Sequence, residues 1–273
     1  MSDWLSGDVI ANGLKIHYLR TGGSKPPLML AHGLTDNSLC WMPLVQRLEQ
    51  DYDCIMVDAR GHGQSDVPEA GYTNADHAAD YAGVIAALHL SRPAMIGHSM
   101  GAATIAFLAA HYPDLVSAIV LEDPPWRPQA EKVTPEQATT FAEAWRANVI
   151  AQRSLPRAAL LEAGRKDRPT WSAAEFVGWA TAKQQVSPNA LNYVSELSTP
   201  WWEFVAKITC PTLLVTADVA LGAVVSPETA QAVVALNPNL RVAHIAGAGH
   251  NIRREQFELY VRTVHEFLAE VFG

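Results

Sequence analysis

The chain has 273 residues, 49% hydrophobic and 18% charged, enough to bury a large core as one domain with an insertion. Its formal charge of −8 argues against nucleic acid and anionic membrane surfaces as partners. No apolar run reaches the roughly 18 residues of a membrane span, and Met1 to Ile10 lacks a basic start and an apolar run, so no secretory signal and a cytoplasmic location are expected.

Taken in chain order, Asn12-Gly13 sits between two strand-like segments and signals a hairpin whose second strand is Lys15 to Arg20. Short apolar strands follow at Leu28–Ala31, Cys54–Val57, Ala94–Ile96, Ala118–Leu121, Thr212–Thr216 and Arg241–Ile245. Helical stretches separate most of them, which predicts an α/β fold: a mostly parallel, eight-stranded sheet with helices on both faces. The hairpin is expected to leave one antiparallel strand at the edge. A long amphipathic helix is expected from Arg254 to Leu268. Cys40, Cys54 and Cys210 are odd in number, without metal-ligand spacing and in or beside apolar runs, so buried thiols and no metal site are expected.

Between Asp123 and Cys210 the alternation stops. Helix starts appear at Thr134-Pro135-Glu136-Gln137, at Ser172-Ala173-Ala174-Glu175 and at Ser187-Pro188. Six of the eight tryptophans lie here: Trp126, Trp145, Trp171, Trp179, Trp201 and Trp202. We read residues 125–204 as a helical cap inserted after the sixth strand, with 1–124 and 205–273 as the body. As a group the rings suggest an apolar cavity under the cap, with Trp126, Trp179 and Trp202 as candidate substrate contacts.

The chemistry collects at the strand ends, where open parallel sheets bind ligands. Gly97-His98-Ser99-Met100-Gly101 follows a short apolar strand and opens a small-residue helix. Strand, sharp turn and helix are the setting of a nucleophile elbow, with the serine hydroxyl exposed at a strained backbone angle. A serine needs a base to take its proton. His250, after Gly247-Ala248-Gly249 and the last strand, is better placed for this than the other nine histidines.

With these motifs the chain resembles the α/β-hydrolase family over essentially its whole length. His32-Gly33-Leu34 is similar to the family's oxyanion loop, Asp58-Ala59-Arg60-Gly61-His62-Gly63-Gln64-Ser65 to its D-x-R-G-x-G-x-S signature, and Gly247–His250 to the loop that delivers its histidine. The resemblance implies an oxyanion hole from the Leu34 and Met100 N–H groups, and His32, Gly33 and His98 beside the substrate. It also implies chemistry without a cofactor. One position departs from the family pattern. Where much of the family carries its acid after Thr212–Thr216, this chain has Ala220. Two acids can stand in: Asp123, where haloalkane dehalogenases and some other members place theirs, and Asp218. Asp123 is preferred, and Glu122 is weaker because strand alternation points it the other way.

The reading is a serine hydrolase acting through an acyl-enzyme on a small or medium apolar ester or lactone. Its rivals are carbon–carbon hydrolysis of a diketone by the same residues, and a non-hydrolytic ligand receptor on the same fold. The partner expected is a small apolar molecule; a homodimer is left open.

Overall fold

Eight strands form one sheet: β1 (Leu5–Ala11), β2 (Leu14–Arg20), β3 (Pro27–Ala31), β4 (Asp53–Val57), β5 (Ala94–His98), β6 (Ile119–Glu122), β7 (Thr212–Thr216) and β8 (Leu240–His244). The computed structural model describes residues 4–131, 133–196 and 198–272, so the expectations for Met1–Asp3 lie outside it. The strand order is β1-β2-β4-β3-β5-β6-β7-β8, and every pair from β4 to β8 is parallel. β1 and β2 are joined by Asn12 and Gly13 at φ 51° and 77°, the positive angles a two-residue hairpin turn needs. The hairpin forms an antiparallel edge to the sheet, as the sequence suggested, and the strand that runs against the parallel set is β2, one in from the edge. The hairpin docks through β2, whose Tyr18, Leu19 and Arg20 pair with Val57, Met56 and Ile55, and β1 becomes the edge.

All residues of β4, β5, β6 and β7 are buried, as expected for parallel strands covered on both faces. The helices that cover the sheet and build the insertion begin with α1 (Met42–Leu48), α2 (Asn74–Ala87), α3 (Met100–His111), α4 (Pro135–Arg153), α5 (Arg157–Asp167), α6 (Glu175–Gln185) and α7 (Asn192–Ser195). Three more complete the chain: α8 (Pro227–Leu236), α9 (Ile252–Glu255) and α10 (Phe257–Phe272). Met29, Ile55, Met95 and Leu214 pack under α2, α3 and α8 on one face. Leu28, Met56, Ile96 and Val215 pack under α1, α9 and α10 on the other. The helix expected from Arg254 is two helices, broken at Gln256, whose side chain turns back to donate to Gly247 O at 3.2 Å.

Between β6 and β7 the described residues contain helices and short turns and no strand. Thr134 forms the expected capping box with Gln137. Ser172 does not cap a helix; α6 starts at Glu175, whose side chain is drawn instead to Arg254. These helices build two small clusters of their own, around Val149, Val186 and Leu191 and around Leu160, Trp171, Phe176 and Trp179.

Candidate active site

Ser99 follows β5 and precedes α3 with φ 51° and ψ −117°. Few non-glycine residues adopt such angles, and they persist only where the surroundings fix them. Here the turn is fixed from both sides. Ser99 N donates to Glu122 O at 2.9 Å. Gly101 lies so close to β3 that a Cβ on it would stand 2.1 Å from Ala31 O. Ser99 occupies the N-cap position of α3 without capping it, and its hydroxyl has no hydrogen bond among the described residues. Ser99 is only partly buried, and its hydroxyl is unspent at the positive end of a helix.

His250 leans on Asp123, with Nδ1–H donating to Oδ2 at 2.6 Å. The Asp123 side chain is 0% exposed and that of His250 31%. Asp123 follows β6 at φ 40°. Its carboxylate also accepts Val224 N at 2.8 Å and Val225 N at 2.9 Å, so both oxygens are satisfied and the acid is fixed. With Nδ1 spoken for, the Nε2 of His250 is left as the proton acceptor. Asp218 does not reach His250. It pairs with His244 Nε2 at 3.0 Å and accepts Gly247 N at 2.7 Å; that N–H holds the Asp218 carboxyl below the usual range. Ala220 lies in the short exposed turn Val219–Leu221. Glu122, beside Asp123, accepts Arg253 N and Nη1, each at 2.9 Å, and so ties the end of β6 to the segment after His250.

The neighbouring loops are braced by neutral histidines. His98 is buried, and Nε2–H donates to His250 O at 2.9 Å. Its ring lies 4.8 Å from that of His250, so it holds the His250 backbone from behind. His32 is fully buried; it donates from Nδ1 to Gly33 O at 2.9 Å and accepts Ala59 N at 3.0 Å. His62 accepts Thr35 N at 3.2 Å. Burial lowers all three histidines, His62 to about 3. His32 and His98 are thus supports for the loops, not open contact surfaces. Gly33 passes so near that a Cβ on it would meet His98 Nδ1 at 2.7 Å and Ser99 Cβ at 3.3 Å. Next to it the Leu34 N–H, like that of Met100, donates to no protein acceptor among the described residues. Two free amides beside a serine can receive a developing oxyanion, and a base with a fixed partner can take the serine proton.

The tryptophans are less available than the sequence suggested. Trp126 stacks on Trp201 at 5.9 Å within the main core, and Trp202 meets Trp201 edge-on. Trp179 is buried against Phe176, with Lys183 and Arg168 over its ring. A buried set of charges beside the Leu34 turn was not visible in the sequence. Lys183 Nζ donates to Thr35 O at 2.9 Å, and Arg254 joins Asp36 to Glu175. These partners lie 148, 218 and 79 residues apart, and no local pattern announces them. Cys40, Cys54 and Cys210 are buried and unpaired, and the described residues contain no cluster of His, Cys, Asp or Glu suited to a metal ion. No described helix is long and apolar enough to cross a membrane.

Comparison with known proteins agrees with this architecture. The chain is 45% identical over 105 residues to a 2-(acetamidomethylene)succinate hydrolase of Mesorhizobium japonicum, a match covering 38% of each chain. It is 27% identical over 267 residues to an N-formylmaleamate deformylase of Pseudomonas putida, covering 96% of each. The crystal structure of an E-2-(acetamidomethylene)succinate hydrolase superposes with a TM-score of 0.80 at 26% identity, over 97% of this chain and 99% of that one. The model of the alpha/beta hydrolase fold matches residues 26–253, and with that match, the sheet order and the turn at Ser99 the chain belongs to the alpha/beta hydrolase fold family.

Proposed function

We propose that this protein is a serine hydrolase that cleaves an ester or lactone of a small molecule through an acyl-enzyme. Ser99 attacks the carbonyl, His250 takes its proton and returns it to the leaving group, Asp123 orients and stabilises the imidazolium, and the Leu34 and Met100 N–H groups hold the oxyanion. The observation that carries the reading is the 2.6 Å bond from His250 to a fully buried Asp123, beside a strained serine with an unspent hydroxyl. The helices of residues 125–204 serve as the cap that selects the substrate.

Ser99→Ala is expected to lower kcat by about 10⁶-fold, the scale seen when such a serine is removed. A fluorophosphonate is expected to label the parent at Ser99 and nowhere else. Turnover that survives in the alanine variant, or labelling at another residue, would overturn the mechanism.

A second reading of the substrate has its own support. Arg168 is half-buried, lies over the rings of Trp171 and Trp179 at 5.2 and 5.1 Å, and its guanidinium has no hydrogen bond among the described residues. Its nearest carboxylate, Asp167, is exposed and 4.0 Å away. Such a fork suits a substrate carboxylate, and the relatives named above act on a succinate and a maleamate derivative. On this reading a half-ester of a dicarboxylic acid is preferred to a wholly apolar ester. Comparing kcat/KM for the two in the parent and in Arg168→Met decides between them: a preference for the half-ester that the variant loses supports the carboxylate, and an apolar preference in both supports the aromatic cavity.

A further inference from the structure

The turn that carries Leu34 is an unfavourable one. Asp36 N donates to Gly33 O at 3.1 Å and closes it, and Thr35 sits at its third position with φ 69°. A type II turn asks for this angle there and normally obtains it from glycine. Threonine is β-branched, and a positive φ is a true outlier for it. Something must hold Thr35 in place, and the structure identifies what does.

Thr35 is gripped at three atoms. Its N–H donates to His62 Nε2 at 3.2 Å, and Lys183 Nζ donates both to its carbonyl oxygen at 2.9 Å and to its Oγ1 at 2.5 Å. Lys183 belongs to α6 and is buried. The same helix supplies a second hold, because Glu175 binds Arg254 Nε at 3.0 Å and Arg254 Nη2 donates to Asp36 at 3.2 Å. One helix of the inserted segment thus fixes two successive residues of the turn. The Leu34 N–H, free of protein partners, lies just before them.

We propose that Lys183 is a positioning residue: from α6 it holds Thr35 in its left-handed conformation and so keeps the Leu34 N–H aimed at the oxyanion. The proposal rests on the reading of Ser99 as nucleophile. An amide donor stabilises a transition state only as far as it is already pointed at the oxygen that becomes charged. Without the lysine the turn can relax to a commoner form, and the donor drifts. A misplacement on the order of 1 Å can cost about 100-fold in rate.

The proposal separates a positioning role from a merely structural one through glycine. Glycine adopts positive φ without help, so Thr35→Gly should relieve the need for Lys183. With p-nitrophenyl acetate as substrate, Lys183→Met is expected to lower kcat by about 10- to 100-fold with KM changed less than about 3-fold. The double variant Lys183→Met, Thr35→Gly is expected to recover most of that loss, and Lys183→Arg part of it. Should Lys183→Met fail to fold, Thr35→Val, which removes Oγ1 alone, replaces it. That variant, which keeps the bond from Lys183 to the Thr35 carbonyl, is expected to show a smaller drop in kcat at near-constant KM. An unchanged kcat, a loss borne by KM, or a loss in Lys183→Met that glycine does not repair would overturn the proposal. Fluorophosphonate labelling of the parent keeps the two readings apart: a parent that is not labelled at Ser99 fails as a serine hydrolase, whereas a labelled parent with a fully active Lys183→Met defeats only the role of the lysine.

Discussion

The ends of β6 and β7 are neighbours in the sheet and each carries an aspartate, yet the two have opposite fates. Asp123, after β6, is wholly buried, strained in its backbone and bonded to His250 and two amides. Asp218, after β7, is 35% exposed and braces its own loop through His244 and Gly247. The loop after β7 has not left the site, however. Its Val224 and Val225 supply the N–H groups that fix Asp123. A loop that carries the acid in much of the family here holds an acid offered by the next strand. The proposed mechanism needs a carboxylate at His250 Nδ1, and in this chain the end of β6 is placed to supply it.

The largest expected effect tests that contrast directly. Asp123→Asn should lower kcat by about 10⁴-fold, the cost of a wrong imidazole tautomer, whereas Asp218→Asn should stay within about 10-fold of the parent. Parallel kinetics on the activated ester decide it, and a crippled Asp218→Asn would reverse the assignment. A smaller effect is expected from restoring an acid at Ala220. In the parent it should change kcat by less than about 3-fold, since Nδ1 is occupied. In the Asp123→Asn background it should recover less than about 10-fold, because residue 220 lies in an exposed turn. A sharp recovery would mean that the end of β7 still has the geometry to serve.

A separate effect concerns stability. His62 is held at about 3 by burial, below its unfolded value, so the unfolded chain binds more protons as pH falls from about 6.5. Stability is then full above that pH and is lost toward about 3, by up to about 1.4 kcal/mol per pH unit for each such histidine. Asp218, lowered by the Gly247 N–H, acts only as pH falls below the ordinary carboxylate range. Urea midpoints between pH 7 and 4.5 should therefore fall less steeply in His62→Gln than in the parent, and as steeply in Asp218→Asn.

Sequence patterns are informative where the constraint is local. The turn at Ser99 is legible because its glycines and its flanks are forced by close approach over five residues, and the hairpin at Asn12-Gly13 because two positive φ angles are needed in succession. Asp123 is legible as a strand-end acid, although its strand gives no sign that Val224 and Val225 would hold it. The charges around Thr35 are another matter. Glu175 is legible only as a helix-start residue and Arg254 only as the start of a helix, nothing in the sequence singles out Lys183 or Asp36, and only the folded chain brings the four into one buried cluster. The tryptophans mislead for a related reason: composition reveals that rings are present, and packing decides whether they face one another or a ligand.

Ser99, Asp123 and Thr35 share one property, a left-handed backbone at a residue that is not glycine. Each such angle costs on the order of 1–3 kcal/mol, against a total stability of about 5–15 kcal/mol for a typical domain. A protein optimised for persistence alone would exchange them for residues at ease in that region. Asn12, His89 and Arg92 adopt positive φ as well, but only these three stand at the proposed catalytic site; if that function holds, a search for hardier variants of this chain that relaxes them will return inert proteins unless activity is selected alongside.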